Sequence, residues 1–183
     1  MQHKAQAPIP SNKLKKWLAS QRDTSTAAEP DDLRYEAYIS LLEDPIRKAW
    51  LFQLYLEPGN VLLLSQLYVD TCSSHPIVNA TLAYQLRIAA EGELKKASAS
   101  LVLIEPDIMH DAAEAFEALS SLLGEDEWFF GCSSAGLFDA SVLAYTHLIL
   151  CGDLKWRHNK LATALREHSN LVHHQKRAVQ QYF

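Results

Sequence analysis

A chain of 183 residues, 48% of them hydrophobic, is long enough to bury one sizeable core, and its 6 Gly and 7 Pro argue against disorder or a turn-rich all-β fold. A formal net charge of −5 opposes a nucleic-acid role, because phosphate binding needs a positive footprint. The 3 cysteines, Cys72, Cys132 and Cys151, form no CxxC pair and fit a reduced compartment better than a disulfide framework.

The chain opens on Lys4, Lys13, Lys15, Lys16 and Arg22 with no acidic residue between them, a composition that imitates a mitochondrial presequence. Pro8 and Pro10 interrupt a long amphipathic helix, leaving Ser11 to Gln21, with Leu14, Trp17 and Leu18 as its apolar face. The plainer reading is a basic linker, followed by the polar loop Thr24 to Asp32. Residues 1–30 are therefore expected to precede one helical domain, 31–183.

Tyr35, Tyr38, Ile39 and Leu42 recur at helical spacing. Asp44 and Pro45 read as an N-cap and a pre-set first position, so a new or kinked helix is expected there. Its body, AWLFQLYL, is apolar on nearly every side, which predicts burial of Trp50, Phe52, Leu54 and Tyr55. A turn at Pro58 to Asn60 and a short apolar segment, Val61 to Val69, follow. Ser74 and Pro76 then start the longest helix, with Val78, Leu82, Leu86, Ala89, Leu94, Ala97, Leu101 and Ile104 on one stripe. Such a helix runs ~40 Å and is expected to be the central mast of a bundle. Glu105-Pro106 is read as its end.

Ile108, Ala112, Phe116, Leu119 and Leu123 define the next helix, closed by Gly124. Gly124 to Gly136 is a connecting loop. GLFDASVLAYTHLIL (Gly136 to Leu150) then carries a helix-start signal, with Asp139 at the third position reaching back to the free N–H groups of the first turn. Phe138, Val142, Tyr145 and Ile149 share a face of that helix. Two closing helices follow, the second capped by Asn170. No stretch sustains period-two alternation, so the expected fold is all-α, with Trp50, Leu54, Leu82, Leu86, Phe116, Val142, Tyr145, Leu165 and Val179 in the core.

The local Asp signal resembles that of glutathione-transferase-like helical domains. With LLEDPIRKAWLFQLYL (Leu41 to Leu56), the Val78-to-Leu94 segment and LREHSNLVHHQKRAVQQYF (Leu165 to Phe183), it makes an ordered set over roughly 30–183. That set resembles the C-terminal domain of metaxin-like subunits of the mitochondrial sorting and assembly machinery, fungal type. The resemblance implies a glutathione-transferase C-terminal-like helical bundle on the cytosolic face of the outer mitochondrial membrane. It implies a peripheral, non-catalytic subunit that helps insert β-barrel precursor proteins, with a barrel-forming subunit and a second metaxin-like subunit as partners. Two departures stand out. The Ser or Thr usual three residues before the Asp is Gly136 here, still an acceptable N-cap. Members of the family also carry a thioredoxin-like half, for which 183 residues leave no room.

A search for chemistry returns little. His173 and His174 are adjacent and point to different helix faces, while His168 lies across the Asn170 cap, so converging metal ligands are not expected. His110 and Glu114, four apart, read as a solvated surface pair. Ser133 and Ser134 have neither a Gly-rich elbow nor a positioned base and read as loop and cap. The expectation is therefore no catalytic, cofactor or metal residue, with Gly136, Asp139 and Asn170 as structural caps and the interaction surface unassigned. A glutathione-transferase-like enzyme, or its detached helical domain in the cytosol, is the alternative, and a helical docking module like those on translation factors a weaker third. No segment is long and apolar enough to cross a bilayer, which needs about 20 residues.

Overall fold

The computed structural model describes residues 33–98 and 102–183, so Ser11 to Gln21 and Leu101 lie outside the described residues. Among the described residues every regular element is helical, as the spacing predicts. The helices are α1 (Leu33–Leu41), α2 (Arg47–Leu51), α3 (Val61–Leu64), α4 (Pro76–Ser98), α5 (Glu105–Leu123), α6 (Leu137–Leu150), α7 (Lys160–Arg166) and α8 (Ser169–Tyr182).

No new helix starts at Asp44-Pro45. The backbone stays helical from α1 into α2 through a wide π turn, Leu42–Ile46, that contains Pro45. A wider turn tolerates the missing proline N–H and moves the ring off the preceding carbonyl. Asp44 accordingly caps nothing and pairs with Lys48 at 2.9 Å. A second π turn, Phe52–Leu56, follows α2, and a third, Ser65–Val69, follows α3. These turns rotate the apolar pattern away from strict helical phase. Leu54 is buried as expected and Gln53 joins it, whereas Trp50, Phe52 and Tyr55 are only half-buried.

Helix α4 is not the central mast. Its Leu82, Leu86, Ala90 and Leu94 face inward, against α2 and the π turns Phe52–Leu56 and Ser65–Val69, while Val78 and Ala89 are exposed. It is described as far as Ser98, and Ile104 is already extended (φ −106°, ψ 106°) ahead of α5. Glu105 and Pro106 therefore open α5 instead of ending α4, the position where proline costs least because its missing N–H is free anyway. Helix α5 is the centre of the bundle. It touches α1, the first π turn, α2, α7 and α8, and buries Ile108, Ala112, Phe116, Leu119 and Leu123 at the expected spacing. Phe138, Val142, Ile149 and Leu165 complete the core, and Tyr145 and Val179 sit at its margin.

Candidate functional site

Three polar or concave features lie beside this core, and the first is built around Asp139. Its Oδ2 accepts from Gly136 N (2.9 Å), the reach-back expected of a third-position carboxylate, with Gly136 at φ −106°. Its Oδ1 does more than the sequence signal implies. It accepts from Phe129 N at 3.0 Å and faces His174 Nε2 at 2.8 Å. Asp139 and His174 are both buried, 3% and 0% exposed at the side chain. One carboxylate thus joins the start of α6, the preceding loop and the middle of α8.

The loop is shaped for this. Phe129–Gly131 is a tight turn in which Phe130 has φ 60° and Gly131 φ 67°. A left-handed phenylalanine costs about 1–2 kcal/mol, offset here by ring packing. Phe130 and Phe129 lie 5.0 and 4.9 Å from Phe138, and Tyr35 stacks on Phe130 at 5.9 Å. Trp128 and Phe129 set their rings edge-on to His174 at 5.5 and 5.1 Å. With the carboxylate as acceptor, Nε2 of His174 carries the proton, and its buried Nδ1 has no hydrogen-bond partner among the described residues.

The second feature is a polar seam of amides. Asn60 donates to the carbonyls of Gln53 and His158, both at 2.8 Å, and accepts from the N–H groups of Arg157 (3.2 Å) and His158 (3.0 Å). Gln53 donates to Asn159 and accepts from Leu161 N, both at 3.0 Å. Asn159 accepts from Ala162 N at 2.9 Å, capping α7, and donates to Ile149 O at 2.8 Å. Beside this seam His158 Nδ1 meets Glu57 Oε1 at 2.8 Å. That hydrogen bond, with help from Gly59 N against the opposing effect of burial, holds the Glu57 carboxyl below its ordinary 4.5. A Cβ at position 59 would lie 2.5 Å from His158 Nδ1, so any larger residue there would push the imidazole aside.

The third feature is an apolar groove of about 440 Å³ between α6 and α8, lined by Gly136, Ala140, Leu143, Ala144, His147 and Tyr182 among others. Gln175 lies 3.2 Å from His147 Nδ1, and Phe183 stacks against the same ring.

The remaining expected residues fall as follows. The N-cap position of α8 is His168 and not Asn170, although Asn170 Oδ1 accepts from the first-turn N–H of Leu171 at 2.9 Å. The Asn170 amide also donates to Ser120 O (2.8 Å) and Gly124 O (3.1 Å), closing the C-terminus of α5 from outside. His168, His173 and His174 do not converge, and His110 pairs with Glu114 at 3.4 Å on the open surface. Ser133 and Ser134 lie in the loop before α6. Sequence reasoning missed His174 as the partner of Asp139. The available signal was its i+3 and i+4 relation to Leu171 and Ala178, both buried, which places it on the inward face of α8.

Residues 112–178, from α5 into α8, match the family model for the glutathione S-transferase C-terminal domain. No curated protein matches the chain in sequence. The match spans the Asp139 centre, the amide cap on α5 and most of the groove between α6 and α8, whose Tyr182 and Phe183 lie beyond it. The chain therefore contains an all-α bundle of the glutathione-transferase C-terminal type.

Proposed function

We propose that this protein is a non-catalytic subunit of the mitochondrial outer-membrane sorting and assembly machinery. In this reading it assists insertion of β-barrel precursors by holding a barrel-forming subunit and a second metaxin-like subunit. The observation that carries the non-catalytic part is the use of its buried polar side chains. Asp139 accepts from two backbone N–H groups and from His174, and Gln53, Asn60 and Asn159 are spent on joints between helices. A catalytic acid or base needs a lone pair or proton aimed at a substrate, and these groups aim theirs at the backbone and at one another. The four metaxin-like segments support the choice of machinery.

A second reading, a glutathione-transferase-like enzyme or its helical domain, is favoured by the apolar groove between α6 and α8, which has room for a small apolar ligand. Thiol transfer separates the two. Purified protein with glutathione and an electrophile is expected to give no turnover, and turnover abolished by one groove substitution would establish the enzyme. Location is tested independently. No described helix is long and apolar enough to cross a membrane, and the proposal places the protein peripherally on the cytosolic face. Protease added to intact mitochondria should degrade it. Protection until the inner membrane is opened would support the presequence reading of residues 1–22 instead.

A further inference from the structure

Helix α6 carries no acidic or basic side chain besides the buried Asp139 and the neutral-range His147, yet Ala140, Ala144, His147 and Leu148 on its outward side are exposed. A helix that is apolar all round is one that is covered all round. The groove it forms with α8 is lined by the small residues Gly136, Ala140, Ala144 and Ala178 together with Leu143 and Tyr182. Small residues four apart along α6 leave a channel into which the large side chains of a third helix can settle, ridge into groove.

The chain itself supplies an occupant of that description. Ser11 to Gln21, outside the described residues, has Leu14, Trp17 and Leu18 at the spacing of one helical face, with Lys13, Lys15 and Lys16 flanking them. The chain also enters the fold beside the groove. Tyr35, in the first turn of α1, sets its ring 5.7 Å from Phe138 and 5.9 Å from Phe130, and Phe138 falls between the groove residues Gly136 and Ala140 in sequence. The connection Arg22 to Asp32 can span up to ~36 Å, whereas α6 is only ~21 Å long, so the segment reaches the whole groove from there. A tether of that length holds the segment at an effective concentration on the order of millimolar.

The charges match as well. Glu125, Asp126 and Glu127 are exposed just ahead of Trp128, whose ring lies 6.4 Å from that of the groove residue Tyr182. Arg177, the cation beside them, is turned to the Trp128 ring at 5.7 Å and to the Glu127 carbonyl. The carboxylates therefore stand at the rim where the lysines of the segment arrive.

We propose that Ser11 to Gln21 folds back as a helix and occupies the groove between α6 and α8, with Leu14, Trp17 and Leu18 against Ala140 and Ala144 and the lysines toward Glu125 to Glu127. The segment then competes with any apolar ligand for that groove. The inference is independent of the proposed role at the outer membrane, and its test uses the purified full chain alone.

The experiment is amide hydrogen exchange of the full chain, with thermal midpoints measured alongside to confirm folding. Amides of Ser11 to Gln21 are expected to exchange at least about tenfold more slowly than those of an unstructured chain. Ala144→Trp fills the groove from an exposed position and should return them to within about twofold of the unstructured rate, and Ala140→Trp, also exposed, is the second blocking variant. Lys15→Glu with Lys16→Glu leaves the apolar patch intact and should lower the protection at least about threefold. Three results overturn the proposal. The first is free exchange of the segment in the wild type, which leaves the groove to a small apolar ligand or another protein. The second is protection that survives both blocking variants, which puts the segment elsewhere. The third is protection indifferent to the charge reversal.

Discussion

Asp139 carries more of the fold than a cap does. Losing an ordinary cap costs ~1–2 kcal/mol, but Asp139→Ala also strands Phe129 N and the buried His174 Nε2, two further donors in a buried site. At ~1–3 kcal/mol for each unsatisfied buried donor, the total expected loss is about 3–8 kcal/mol. Urea titration of the variant checks this, and a loss under about 1 kcal/mol contradicts the geometry. Gly136→Ser should hold or raise the midpoint, because φ of −106° is open to any residue and a serine oxygen completes the capping box. Coupling between Asp139→Ala and His174→Ala, measured by a double-mutant cycle, is expected at about 1–3 kcal/mol.

The same scale holds one pH-sensitive joint. Because His158 lowers the Glu57 carboxyl from 4.5, the ionised form is favoured in the folded state. The resulting stability is fully present above pH 4.5 and is lost as pH falls through the folded value. Glu57→Gln should flatten that acid limb, read as thermal midpoint against pH from about 6 down to 3. An acid limb unchanged in Glu57→Gln removes the joint from the account.

At the scale of elements, the amides distinguish two kinds of junction. Asn60 makes four hydrogen bonds from a buried position and ties the turn after Phe52–Leu56 to the irregular run before α7. Asn60→Ala should cost about 2–4 kcal/mol. Asn170, half-buried with its bonds partly open to water, should cost about 1 kcal/mol when changed to Ala. Equilibrium unfolding of both variants checks the order, and an equal or reversed order contradicts it.

Helices α5 and α6 were legible because each keeps one unbroken 3.6-residue phase, and Asp139 because its capping signal is local. Three things were not. The π turns around Pro45 and after Leu51 shift the phase, so Trp50 sits shallower than its helical spacing predicts. Helix α4 shows two apolar stripes, and periodicity alone does not tell which one faces the core. The partnership of Asp139 with His174 spans 35 residues, and Asn170 reaches back to the carbonyls of Ser120 and Gly124 as well as to Leu171 N of its own helix. Such contacts are set by how α5, α6 and α8 pack, not by local spacing.

Across the described residues, the buried polar groups are spent within the fold, and the surface carries an apolar groove between α6 and α8 and exposed apolar side chains on α4. That division is expected of a subunit that acts by being held, and it makes native partners the decisive observable. Native co-purification from detergent-solubilised mitochondria, with the full chain tagged at either end, tests the central claim most directly. The account predicts recovery of the barrel-forming subunit and the second metaxin-like subunit in stoichiometric amounts, surviving about 150 mM salt because apolar contacts are not screened. Recovery of the chain in the soluble fraction, free of both subunits, would contradict it.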